Sequence, residues 1–175
     1  MSRHIPNLLT LGNLLCGCLG ILYARESSLH MVAYLVWIAC VFDFLDGFAA
    51  RALRTSSSIG KELDSLADMV SFGVLPSITM YVWLEQSFPE SYIPYCAFLI
   101  ALFSALRLAK FNVDENQKDA FIGLPTPANA LFITGLIFLE SPFDLLISPT
   151  GLVTITIIFS LLLVAPIDLF ARSEE

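Results

Sequence analysis

Hydrophobic residues fill this chain in long blocks rather than in the short stripes of a soluble fold. Apolar runs cover residues 6–24, 29–53, 60–84, 92–111, 127–139 and 150–170. Most approach the roughly 20 residues a helix needs to cross a bilayer core of about 30 Å. Lipid satisfies no backbone polar group, so each run is expected to be a helix. The pattern predicts an all-α integral membrane protein, a bundle of six transmembrane helices forming one domain over residues 1–175. Polar connections separate the runs at 25–28, 55–58, 85–91, 112–122 and 140–149. The fifth run is short, and Gly123-Leu124-Pro125-Thr126-Pro127 before it breaks helices, so that span is expected to begin bent. The first run follows Arg3 but continues past a signal-peptide core without an A-x-A cleavage site, and is expected to be a retained helix.

Composition agrees with this pattern. Of 175 residues, 57% are hydrophobic and 14% charged, and the mean hydropathy is +0.77; soluble domains carry about 25% charged residues. With six spans, Arg3, Arg51, Arg54, Lys61, Arg107, Lys110, Lys118 and Arg172 fall on one side and Arg25 on the other. The positive-inside rule assigns the first side, with both termini, to the cytoplasmic face of the cell (inner) membrane. The net charge of −7 comes largely from a central acidic cluster and Glu174-Glu175, and names no partner. Nucleic-acid binding is excluded, because no basic stripe interleaves with aromatics. Cys16, Cys18, Cys40 and Cys96 lie in apolar runs without zinc spacing and read as small hydrophobes.

Asp43, Asp46, Asp64 and Asp68 interrupt the second and third runs. A carboxylate at bilayer depth costs about 2.5–3.5 kcal/mol on insertion scales, so four together need a compensating cation. Arg51, Arg54 and Lys61 are the nearby bases. A divalent metal is the economical alternative, and oxygen-only ligands favour Mg2+ or Mn2+. On helices, Asp43 and Asp46 share one face, and so do Asp64 and Asp68. The short connection makes the two helices antiparallel neighbours, so the carboxylates converge across one gap. Two ions about 3.5–4 Å apart in that gap would clamp a pyrophosphate.

Gly47, Ala50 and Gly60 keep the gap open. Arg51 and Arg54 suit phosphates, and the hydroxyls at 55–58 with the start of the third helix add anion donors. Taken singly, small residues and terminal bases in membrane helices serve packing and topology. The fixed register of four acids, two glycines, Ala50 and Arg51 is what points to chemistry. A cation transporter is the rival class; it would want repeated halves, and it gives no reason for that register.

The register reads D-x2-D-G-x2-A-R-x8-G-x3-D-x3-D from Asp43 to Asp68. It resembles the complete signature of the CDP-alcohol phosphotransferase family. The resemblance implies an integral membrane enzyme, commonly a homodimer, that uses Mg2+ or Mn2+ to displace CMP from a CDP-linked alcohol. Asp43, Asp46, Asp64 and Asp68 would surround two ions, and Asp68 would also be the general base. Gly47, Ala50, Arg51 and Gly60 would line the CDP site. Segments 5–14 (IPNLLTLGNL), 68–76 (DMVSFGVLP), 105–112 (ALRLAKFN) and 121–127 (FIGLPTP) are similar to the branch that joins CDP-diacylglycerol to L-serine. Lys110 stands where many relatives have arginine. On that branch Arg107, Lys110 and Asn112 are the expected acceptor-binding residues; Ser71 is near enough to touch the acceptor, but its hydroxyl is expected to satisfy its own helix backbone. Glycerol phosphate or inositol phosphate as acceptor, and an archaeal-type CDP-lipid donor, stay open on these residues. Asp168 is expected to pair with Arg172, and Asn129 either to pack between helices or to satisfy backbone opened by Pro127.

Overall fold

The computed structural model describes residues 4–55, 57–113, 123–139 and 144–166. Arg3, Lys118, Phe121, Ile122, Asp168, Arg172 and the acidic end, all invoked above, lie outside these residues. The described residues contain helices and no strand. Helix α1 is Ile5–Arg25 and α2 is Leu29–Ala52. Next come α3 (Ser58–Asp68), a π-helical segment (Met69–Val74) and α4 (Leu75–Ser87), which form one continuous rod. A 3-10 stretch, Ile93–Ala97, leads into α5 (Phe98–Val113). Beyond it lie α6 (Thr126–Gly135), a single turn α7 (Asp144–Ile147) and α8 (Pro149–Val164).

Four of the expected spans are long and apolar enough to cross a membrane: Ile5–Arg25, Leu29–Ala52, Ser58–Ser87 and Ile93–Val113. The chain is therefore a multi-pass helical membrane protein. Thr126–Phe138 and Pro149–Val164 are apolar but shorter. At 1.5 Å per residue the former measures about 20 Å, less than a bilayer core.

The faces of α1 explain how the bundle assembles. Its buried residues are Pro6, Thr10, Asn13, Cys16, Gly17, Gly20 and Ala24, while Leu8, Leu11, Leu15 and Leu22 point outward. Lipid is as apolar as leucine, so burying leucine between membrane helices gains little; small residues gain close packing and polar residues gain partners. A Cβ on Gly17 would lie 2.5 Å from Ser71 Oγ and 3.1 Å from Ser71 Cα, and one on Gly20 would run into the Leu75 side chain. Gly17 brings α1 against the π-helical segment at backbone distance, and Gly20 makes room for Leu75 at the start of α4.

Two features differ from the sequence expectation. The third run, expected as one regular helix, widens at Met69–Val74 directly after Asp68. Pro76 supplies the reason: it has no N–H to donate, its ring crowds the carbonyl four residues back, and a π turn relieves that clash. In addition, α2 and α3 meet chiefly through α1, which packs on both, while the space between their facing ends stays open.

The apolar packing forms two clusters. One joins Val32, Val36 and Ala39 of α2 to Phe72, Leu75 and Ala130; the other joins Met80, Leu84, Ile100, Leu152 and Ile133. Helix α6 contributes to both and is tied to α2 by Trp37 Nε1, which donates to Thr134 Oγ1 at 3.2 Å.

Candidate active site

Asp43 and Asp46 lie toward the C-terminal end of α2, and Asp64 and Asp68 on the last turns of α3. One carboxylate oxygen from each of Asp43, Asp64 and Asp68 lies within 4.8 Å of the other two, with Asp68 the most enclosed. Asp46, 6% exposed, stands beside this triad. Its Oδ2 is 2.6 Å from Thr10 Oγ1, which also lies 3.0 Å from the Pro6 carbonyl. A hydroxyl has one hydrogen, and the shorter contact to a carboxylate takes it. Asp68 Oδ1 accepts from Asn13 Nδ2 at 3.1 Å, and the Asn13 carbonyl accepts from Ser71 Oγ at 2.9 Å. Helix α1 thus holds two of the four carboxylates. Converging oxygen donors suit a hard divalent cation, Mg2+ or Mn2+. Such an ion would also engage Asp64 Oδ1, which is buried without a hydrogen-bond partner.

Two cavities meet at Asp64. The first, about 220 Å³, opens among the ends of α1, α2 and α3. Asp46, Gly47, Ala50, Gly60, Lys61 and Asp64 line it, together with Asn7, Thr10, Thr55 and Ser57. A Cβ on Gly60 would stand 3.1 Å from Ser57 Oγ and 3.3 Å from Asn7 Oδ1, so bulk there narrows the cleft. Arg51 folds back over Gly47, with Nη1 3.4 Å from where a Cβ would sit. At the start of α3, expected to add anion donors, the Gly60 amide is already taken by Ser57 Oγ at 3.0 Å. The unpartnered hydroxyl here is Thr55 Oγ1. It is turned inward by the close of α2: Arg54 adopts φ 50°, and Thr55 N donates to the Ala50 carbonyl at 3.1 Å. This is a left-handed helix cap.

The second cavity, about 180 Å³, is lined by Asp64, Ser65, Asp68, Arg107, Leu108, Phe111 and the turn Pro125-Thr126-Pro127. Arg107 is half-buried and its Nε has no partner. Lys110 is exposed and does not line the cavity. Asn112 exchanges hydrogen bonds with Ser65 at 3.0 and 3.2 Å, and its carbonyl accepts from Lys61 Nζ at 3.3 Å, tying α5 to α3. Of the three expected acceptor residues, Arg107 reaches the space beside Asp68. Ser71 is turned away, to Asn13. Asn129 is fully buried, but neither of its side-chain polar atoms has a partner.

The sequence reading assigned no roles to Thr10 and Asn13. The available signal was their spacing, three apart in an apolar run and continued on the same face by Gly17 and Gly20.

A polytopic helical bundle that gathers carboxylates at the junction of two clefts has the layout expected of a membrane-embedded enzyme of the phosphate-transfer class. Comparison with known proteins makes this specific. Residues 3–166 match the family model for CDP-alcohol phosphatidyltransferase. A CDP-diacylglycerol–serine O-phosphatidyltransferase of Bacillus subtilis (strain 168) is 37% identical over 150 residues, 86% of this chain and 84% of the relative. Proteins of the same name from Helicobacter pylori (strain J99) and Methanocaldococcus jannaschii are 38% and 40% identical, over 81% and 75% of this chain. The alignments cover 60% and 59% of those two relatives. The chain belongs to the CDP-alcohol phosphatidyltransferase family.

Proposed function

We propose that this enzyme transfers the phosphatidyl group of CDP-diacylglycerol to the hydroxyl of L-serine, giving phosphatidylserine and CMP. The observation that carries the reading is the pair of cavities meeting at Asp64. One is lined by Gly47, Ala50 and Gly60 of the family signature, and the other sets Arg107 beside Asp68. The printed names of the relatives support serine as acceptor.

In this reading the cytidine diphosphate lies in the first cavity, against the bare backbone at Gly47 and Gly60, with Arg51 at its edge. The acyl chains stay in the bilayer. Serine occupies the second cavity, its carboxylate drawn to Arg107. Asp68, oriented by Asn13, takes the proton from the serine hydroxyl. The hydroxyl oxygen bonds to the lipid-bearing phosphorus as the bond from that phosphorus to the CMP oxygen breaks, so CMP leaves with the electron pair. Asp43, Asp64 and Asp68, with Asp46 beside them, would hold Mg2+ or Mn2+, two ions on the family pattern. When bound, these ions neutralise the charge of the pyrophosphate and the departing CMP.

Six spans, a cytoplasmic active site with both termini on that face, residence in the cell (inner) membrane and a homodimer complete the proposal. The basic residues of the 2–3 and 4–5 connections support the orientation. The test measures CMP release from CDP-diacylglycerol with L-serine, glycerol phosphate and inositol phosphate supplied separately with Mn2+ or Mg2+. Release with serine alone is expected; release with a phosphorylated acceptor and none with serine overturns the assignment.

A further inference from the structure

The second cavity contains a residue to which the serine reading gives no task. Buried threonines inside the helices have partners: Thr10 gives its hydroxyl to Asp46, and Thr79, Thr134 and Thr156 return theirs to the carbonyl four residues back, of Leu75 at 2.7 Å, Ala130 at 2.8 Å and Leu152 at 2.8 Å. Thr126 is the first residue of α6 and has no helical turn behind it. Its side chain is fully buried, its Oγ1 has no partner, and it lines the cavity that holds Arg107 and Asp68. A buried hydroxyl without a partner is a cost that a ligand can remove.

The local backbone fixes this residue firmly. Gly123 sits at φ +80°, where a Cβ would stand 2.8 Å from the Leu163 carbonyl oxygen, so glycine is required. Leu124 N donates to the Leu162 carbonyl at 3.0 Å, and Pro125 N-caps α6. These contacts anchor the turn on α8 and present the first turn of α6 to the cavity. A helix start carries partial positive charge on amides that lack intrahelical acceptors. In the same cavity the Arg107 guanidinium has a buried Nε, also unpartnered. A hydroxyl donor, a helix N-terminus and a guanidinium around one small space form a site for a singly charged, planar anion.

We propose that Thr126, with the N-terminus of α6 and Arg107, clamps the carboxylate of an amino-acid acceptor and so helps select that acceptor class. The inference rests on the serine reading and adds a specificity-determining residue to it. An acceptor without a carboxylate leaves the clamp empty. A phosphate dianion finds one guanidinium and a hydroxyl where it needs more positive charge.

The experiment compares Thr126→Val, which keeps the shape and removes the hydroxyl, with Thr126→Ser, which keeps the hydroxyl. Steady-state CMP release is measured against L-serine, against L-serinamide (which lacks the carboxylate), and against CDP-diacylglycerol. Thr126→Val should raise the KM for serine about tenfold or more, while the KM for CDP-diacylglycerol stays within about threefold. Its kcat/KM for serinamide should fall less than that for serine, because a neutral amide oxygen is the weaker acceptor, and Thr126→Ser should restore the serine KM. If Thr126→Val does not fold, as judged by helical circular dichroism, Thr126→Ala takes its place under the same criteria. A serine KM within twofold of wild type, or equal losses for serine and serinamide, overturns the clamp. Wild-type enzyme that used glycerol phosphate and not serine would overturn the acceptor reading itself, and the clamp with it.

Discussion

Asn13 offers the sharpest separation between a role in catalysis and a role in packing. It is fully buried, it lines neither cavity, and its Nδ2 gives a 3.1 Å hydrogen bond to Asp68 Oδ1. Asn13→Ala removes that bond alone, because the contact from Ser71 goes to the Asn13 backbone carbonyl and survives. A hydrogen bond to a charged group contributes about 1.5–3 kcal/mol. At 1.36 kcal/mol per decade of rate, its loss corresponds to roughly 10–150-fold. The loss should fall on kcat, because a carboxylate freed to rotate spends less time aimed at the acceptor hydroxyl. The KM for CDP-diacylglycerol should stay within about threefold. The assay is CMP release by purified enzyme in detergent, with serine and CDP-diacylglycerol varied in turn. Ser71→Ala is the control: it loses a neutral hydrogen bond, worth about 1 kcal/mol, but leaves Asp68 its partner. A kcat for Asn13→Ala within twofold of wild type would refute the positioning argument. So would an equal loss in Ser71→Ala, which would show that both residues act through helix packing.

Other expectations follow from the two cavities. Gly60→Ala should raise the KM for CDP-diacylglycerol about tenfold and leave that for serine near wild type, because the added methyl stands between Ser57 and Asn7 at the first cavity. Arg107→Ala should raise the KM for serine more than tenfold, whereas Lys110→Ala should leave it within twofold, since Lys110 is exposed and away from the cavity. Equal effects of the two substitutions would move the acceptor site elsewhere. Chelation of divalent ions should abolish CMP release, and Mg2+ or Mn2+ should restore it. Asp43→Asn should increase the ion concentration needed for half-maximal rate at least tenfold, read from a titration of rate against free Mn2+.

The carboxylate cluster was readable in the sequence because its parts are local. The signature runs from Asp43 to Asp68 across one short connection, so helical spacing led to the expectation that four carboxylates converge; Asp43, Asp64 and Asp68 do so, while Asp46 stands beside them on Thr10. The π-helical widening after Asp68 was harder to read. Pro76 announces a disturbance, but a proline can kink, break or widen a helix, and its position does not say which. Lys110 and Asn112 were expected at the acceptor because basic and amide side chains near a helix end look alike in sequence. Their directions are set by a few tens of degrees of helix rotation. That rotation puts Arg107 into the cavity, Lys110 outside it, and Asn112 against Ser65.

Helix α1 shows a more general reason why part of the site was not legible. Hydrophobic patterning in a soluble helix marks the inside; in a membrane helix the outside is at least as apolar, so the same pattern carries little information about direction. What marks the inside here is the row Thr10, Asn13, Gly17 and Gly20, small or polar residues on one face. The glycines set the distance from α1 to the π-helical segment and the start of α4, and Thr10 and Asn13 spend that closeness on Asp46 and Asp68. Packing and chemistry are thus the same feature seen at two points along one helix face. Widening the contact at Gly17 would move Asn13, one turn away, off the carboxylate it orients. The polar residues of a membrane helix are therefore best read together with the small residues that share their face, because the second set determines what the first can reach.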